Sequence, residues 1–209
     1  RSFISNDLSM ESTNQNTYWQ MDYKLSGKWS SRSNVSVSNT TSYGPMPYFY
    51  LMAGNTQMER NVWTIDGKST TLDIQQNFTG DFSLGSMRNR LVAGLDFYNY
   101  NVNVVYHEFM GTAGGITQAD LFDIVNTSGE VPGYFNFNKA KVDSAYVNGP
   151  ADPYNYYSIY KEYISSAYFS DVLNVTDRLL VNVALRLDHF DNKGNYDPTS
   201  GKSSGGYNT

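Results

Sequence analysis

The chain has 209 residues, only 17% of them charged, with a net charge of −5 and a sequence pI of about 4.9; it has no basic surplus with which to grip nucleic acid. There are no cysteines, which excludes disulfides and thiolate metal sites, and no stretch approaches the length of a transmembrane helix. Aromatic residues are abundant, with 18 Tyr, 11 Phe and 3 Trp.

Residues 1–16 are polar and read as a loop, without the apolar segment of a signal peptide. Thr17–Trp29 alternates, placing Trp19, Met21, Tyr23 and Leu25 on one face and Gln20, Asp22 and Lys24 on the other. Ser30–Ser33 reads as a short turn, and Asn34–Tyr43 as the partner strand with Val35 and Val37 on its apolar side. Gly44–Asn61 holds Gly44-Pro45-Met46-Pro47 and Gly54-Asn55, and reads as a long loop with Tyr48, Phe49 and Tyr50 at an aromatic tip. A short pairing is expected over Asn61–Ile65.

Thr70–Leu84 is a long strand with Leu72, Ile74, Phe78 and Phe82 on one face and Asp73, Gln75, Asn77 and Asp81 on the other. Gly85-Ser86 makes a tight turn. Met87–Val105 follows, with Leu91, Ala93, Leu95 and Phe97 opposite Arg88, Arg90, Gly94 and Asp96. Residues 106–155 lack steady periodicity and read as a long loop, with one or two helical turns over Thr117–Val125. From Tyr157 to Asp191 two long strands meet at a turn near Asn174–Arg178. In the second, Leu179, Val181, Val183, Leu185 and Leu187 form an uncharged face, about the length of a membrane-spanning strand. Lys193–Thr209 reads as loop.

The pattern predicts an all-β, antiparallel up-and-down meander of about six long strands, with short turns alternating with long connections. Six strands cannot close even the smallest membrane barrel, so the expectation is a partial β-barrel, a single segment over residues 1–209.

Four stretches carry a family likeness. Ala167-Tyr168-Phe169-Ser170-Asp171, Asn174-Val175-Thr176-Asp177-Arg178-Leu179 and Ala184-Leu185-Arg186-Leu187-Asp188 resemble a recurrent hairpin of TonB-dependent outer-membrane receptors. Leu91-Val92-Ala93-Gly94-Leu95-Asp96-Phe97-Tyr98, after the Gly85 turn, is similar to a strand ending of the siderophore branch of that family. The resemblance covers most of residues 17–192 and includes neither a plug domain nor a TonB-binding box. It implies a transport receptor of the Gram-negative outer membrane that imports a ferric siderophore or similar chelate, with TonB acting through a plug outside this chain and with lipid around the wall. It also implies a protein that is not an enzyme. The resemblance allows, as a variant, a glycan importer of the same superfamily.

On this reading the ligand-capturing residues are Tyr48, Phe49, Tyr50, His107, Tyr154, Tyr156 and Tyr157, in or beside the long connections, because aromatics offer rigid contact area at low entropic cost. No catalytic residue, cofactor or metal site is expected. The carboxylates Asp22, Asp73, Asp81, Asp96 and Asp188 are expected to pair with Arg88, Arg90 and Arg186 along a hydrated face rather than act as acid and base. Unpaired outer strands and an uncovered apolar face predict that the isolated segment self-associates. The competing reading is a secreted soluble β-sandwich that binds carbohydrate, which would bury the apolar face under a second sheet.

Overall fold

The computed structural model describes residues 3–128, 134–148 and 155–209. Six long strands dominate: β1 (Glu11–Lys24), β2 (Trp29–Leu51), β3 (Gln57–Leu84), β4 (Met87–His107), β8 (Tyr156–Thr176) and β9 (Leu179–Asn192). They lie in one antiparallel sheet in the order β1-β2-β3-β4-β8-β9, a meander, with β12 (Tyr207–Asn208) added at the end of β9 and β7 (Leu121–Asn126) pairing β3. Two small hairpins complete the strands: β5 (Met110–Ala113) with β6 (Ile116–Ala119), and β10 (Asn195–Asp197) with β11 (Lys202–Ser204). No second large sheet exists among the described residues to cover the first, as a sandwich would require.

The chain divides into two compact units. One comprises Asn14–Asn39, Ser69–Val102 and Ile159–Thr209 and holds the regular sheet. Its two faces follow the period-two alternation. In the β8–β9 hairpin, Ala167 faces Leu187, Phe169 faces Leu185 and Leu173 faces Val181 on one side; Tyr168 faces Arg186 and Ser166 faces Asp188 on the other. The apolar side stays open: Leu187 is 65% exposed, Leu185 61%, Leu95 61% and Trp19 49%. Near the short turns the face is closed by large rings, with Trp29 stacked on Phe82 at 5.8 Å and filling the space over Gly80. Polar islands interrupt it. Gln76, in the same face series as Ile74 and Phe78, exchanges hydrogen bonds with Ser33 and with Ser31 (2.7 Å), and Asn89 donates to Asp171 at 2.7 Å.

The other unit comprises Arg1–Thr13, Thr40–Lys68 and Asn103–Ser158. Here Leu8, Val62, Phe109, Phe137 and Val142 form a buried cluster, with Ile4, Phe122, Ala145 and Tyr146 packed around it. Helix α1 (Lys139–Asn148) contributes Val142, Ala145 and Tyr146. The Asn138 side chain caps α1, accepting from the Lys141 amide at 3.0 Å. Arg60 is fully buried and forks onto Asp123, with Nε to Oδ1 at 2.6 Å, while its guanidinium lies 5.1 Å from the Phe137 ring centre.

Several expected boundaries are corrected. β1 starts at Glu11, inside the expected loop, and the first turn lies at 25–28 rather than Ser30–Ser33. The amides of Leu25 and Ser26 both bond the Trp29 carbonyl, so Trp29 opens β2. The expected loop Gly44–Asn61 is mostly strand, with its turn at residues 52–56, where Gly54 and Asn55 take positive φ. Pro45 and Pro47, two apart, remove donors from the same edge of β2. Past Gly44, β1 has run out and offers no ladder there.

Thr117–Val125 is not helical. It forms β6 and β7, joined at Asp120 with φ 63°, and the helix falls instead at α1. Pairing of β7 with β3, which buries Leu121 and Val125, outweighs the local helical pattern. Residues 193–209, expected as loop, carry three short strands.

Candidate functional site

The extended ends of β2, β3, β4 and β8 bring together a row of rings in the unit that holds α1. Tyr48 and Tyr50 of β2 meet edge to face at 5.6 Å. Tyr48 lies 5.6 Å from Trp63 of β3, Trp63 4.9 Å from Tyr106 of β4, and Tyr106 5.5 Å from Tyr156 of β8. These spacings fall in the range of favourable tilted ring pairs. The inner rings are half-buried, whereas Tyr50 is 60% and Tyr156 56% exposed at the two ends.

One carboxylate fixes the row at its β2 side. The Tyr48 hydroxyl donates to Asp120 Oδ2 at 3.0 Å. Asp120 is itself held by its backbone: its amide bonds the Phe109 carbonyl at 2.8 Å, and its carbonyl accepts from the Val62 amide at 3.0 Å. Burial first, and then the Asp120 charge, push the Tyr48 phenol well above its ordinary pKa, so it remains a neutral donor. On α1, burial likewise raises Tyr146, whose hydroxyl donates to the His107 carbonyl at 2.8 Å.

The expected ligand residues therefore divide. Tyr48, Tyr50 and Tyr156 join the row. Phe49 projects away from it, packing 6.1 Å from Phe3 and 6.3 Å from Phe137, as alternation on a strand demands. His107 is half-buried at the end of β4. Tyr157 is half-buried at the start of β8, one residue past Tyr156 and so on the opposite side of the strand. Tyr154 lies outside the described residues. Trp63, Tyr106 and Asp120 were not anticipated. The signal for Trp63 was available, because its odd number continues the series Asp73, Gln75, Asn77 once β3 is followed back through Gly67.

The sheet unit carries the second polar feature. Arg186 of β9 bonds Asp188 at 2.7 Å, Asp96 at 3.1 Å and Ser166 at 2.8 Å, with its guanidinium 5.5 Å from the Tyr168 ring centre. Tyr168 lies flat across Gly94, where any Cβ would enter the ring, and its hydroxyl donates to Asn77. Arg32 with Asp22 (2.6 Å) and Arg88 with Asp81 (2.9 Å) continue these ion pairs along the polar face. Four of the five carboxylates expected to pair with arginine thus do so: Asp81 with Arg88, Asp96 and Asp188 with Arg186, and Asp22 with Arg32 rather than with Arg88, Arg90 or Arg186. Among the described residues no cluster of three His, Asp or Glu could hold a metal ion.

No family model matches the sequence, and no curated protein matches it. Among solved structures, the fold is similar to that of BauA, the ferric preacinetobactin receptor from Acinetobacter baumannii. The TM-score is 0.54 at 12% identity, over 88% of this chain and 28% of that one. The chain thus spans little more than a quarter of that receptor's length, and at this identity the likeness concerns the fold.

Proposed function

We propose that this chain is a stretch of barrel wall, with its external connections, from a TonB-dependent transport receptor of the Gram-negative outer membrane. In this proposal it is not an enzyme: it helps capture a ferric siderophore or similar chelate for import. The observation that carries the reading is the sheet itself, with one long uncovered apolar face opposite a face of ion pairs. Leu179 to Leu187 covers roughly 26 Å of strand at about 3.3 Å per residue, close to the apolar band of roughly 25 Å of an outer-membrane barrel. The likeness to a ferric siderophore receptor supports the same assignment. TonB would act through a plug that this stretch does not supply, and bilayer lipid would cover the apolar face.

Capture of the chelate is assigned to the ring row, with Tyr50 and Tyr156 offering open faces and Trp63 in its middle. The test uses a chain with Trp19→Phe and Trp29→Phe, so that Trp63 is the sole indole, folded in neutral detergent. Ferric catecholate and hydroxamate chelates are titrated while Trp63 emission is followed. Saturable quenching that Tyr50→Ala and Tyr156→Ala weaken supports the reading. Linear quenching, indifferent to both variants, refutes capture at this row.

A further inference from the structure

The apolar face of the sheet unit is not uniformly filled. Between Ile74 and Gln76 of β3, Leu95 and Phe97 of β4, Ala167 of β8 and Leu187 of β9 runs a mostly apolar groove of about 640 Å³. It exists because a small side chain, Ala167, sits opposite Leu187 and among large neighbours, so the surface dips where they stand up. At one end the lining turns polar with Ser165 and His189, which face each other across the β8–β9 pair. The next pair on that face is Tyr163 with Asp191, and the Tyr163 ring lies 6.4 Å from Phe97.

Beyond it come Lys161 of β8 and Lys193, the residue just past the end of β9, joined by the Lys193 amide to the Lys161 carbonyl at 2.9 Å. Both are exposed; Lys193 pairs with Asp191 at 2.5 Å. Read away from the β8–β9 turn, one face therefore presents an apolar trough, two small polar groups, a tyrosine and two lysines against one carboxylate.

We infer that this is a binding site for a single lipid with a phosphate headgroup, an acyl chain in the groove and the phosphate between Lys161 and Lys193. The inference rests on the barrel-wall reading. The order of chemistry along the strand matches such a lipid from tail to head. Ser165 and His189 stand at the level of the ester oxygens, where polar groups need partners. Tyr163 stands at the interface, where its ring is buried and its hydroxyl wet. The lysine stems are long enough to lean along the face and bring their ammonium groups to the headgroup. A lysine near an anionic lipid surface contributes about 1 kcal/mol, or about fivefold in affinity.

The 209-residue chain is folded into a neutral detergent, its strand content checked by circular dichroism, and exposed to phosphatidylglycerol, phosphatidylcholine or glycerol phosphate. Bound lipid is counted by mass spectrometry of the intact complex. The expected result is one tightly held phosphatidylglycerol per chain, preferred over phosphatidylcholine and not displaced by glycerol phosphate. Lys161→Gln and Lys193→Gln each lower the preference about fivefold; Asp191→Asn raises it; Ala167→Trp, which fills the groove, lowers retention of both lipids. Equal retention of the two lipids, an unchanged lysine double variant, or competition by glycerol phosphate overturns the site. A chain that enters the detergent but shows no lipid preference refutes the site alone. A chain that stays monomeric in plain buffer and takes up neither lipid refutes the barrel-wall reading with it.

Discussion

Removing Asp123 should open the unit that holds α1 far more than removing its partner Arg60, although both variants break the same ion pair. The asymmetry comes from burial. The Arg60 side chain is 0% exposed, whereas that of Asp123 is 28% exposed. In Asp123→Ala the guanidinium stays buried and loses its bidentate carboxylate, while contacts that include the Phe3 carbonyl at 3.2 Å and the Phe137 ring remain. Removing the carboxylate partner of a buried charge costs about 3–5 kcal/mol, a factor of roughly one hundred to a few thousand in the local opening constant at about 1.4 kcal/mol per decade. In Arg60→Met the apolar stem is largely kept, and the remaining carboxylate can hydrate at its open edge. That loss should be about 1–2 kcal/mol, the scale of a lost charged hydrogen bond. Amide exchange of Met58–Asn61 and Leu121–Val125, which pair in the β3–β7 ladder, reports local opening directly. Equal protection in the two variants, or a larger loss in Arg60→Met, refutes the argument that the arginine is the desolvated partner.

Val181→Arg should reduce membrane yield of an intact receptor more than Asn182→Arg, by roughly 2–4 kcal/mol of insertion free energy, because only the first sits on the open apolar face; equal yields would refute the face assignment. Gly94→Ala should displace Tyr168 from Arg186 and Asn77 and lower the thermal midpoint of the sheet, whereas Gly54→Ala, with open space around it, carries only the backbone strain of its positive φ. Differential melting of the pair checks the order. At Asp197, bonds from Ser200 and Thr199 hold the carboxyl below its ordinary pKa. Its contribution is complete above the unfolded value of about 3.9 and is lost as pH falls through the lower folded value. The β10–β11 hairpin should therefore stay protected at neutral pH and open in acid, read as exchange of the Thr199 amide; protection unchanged well below pH 3 would contradict it. In plain buffer the chain should self-associate through the edge of β1 and the part of β9 that β12 leaves unpaired, seen by light scattering; a compact monomer would count against an uncovered apolar face.

The regular sheet was legible because its evidence is local. Alternation from Leu179 to Leu187 and from Leu72 to Phe82 is fixed by period two, and Gly85 marks its turn by needing positive φ. The unit around the ring row was less so. Gly44, Pro45 and Pro47 are strong local breakers, yet β2 runs through them, because β1 has run out on the edge that Pro45 and Pro47 face and no ladder is interrupted there. Thr117–Val125 carries a helical spacing, but Leu121 and Val125 are buried through pairing with β3, some sixty residues away in sequence. Alternation fixed Tyr48 and Tyr50 on one side and Phe49 on the other as soon as the segment was strand. Reading it as a loop hid that separation. Trp63 and Tyr106 were missed because their neighbours in the row come from other strands.

The junction between β4 and β8 governs the order in which the sheet assembles. Two residues separate β3 from β4, and two separate β8 from β9, but forty-eight lie between His107 and Tyr156. Each doubling of a closing loop adds about 0.6 kcal/mol of entropic cost, so this closure is roughly 3 kcal/mol dearer than a tight turn. The β3–β4 and β8–β9 hairpins should each zip within microseconds of a start, while their union waits for the connecting stretch to gather around Phe109, Phe137 and Val142. The last ladder to form joins two finished hairpins. Severing the backbone between them should slow refolding while leaving each hairpin's own register untouched.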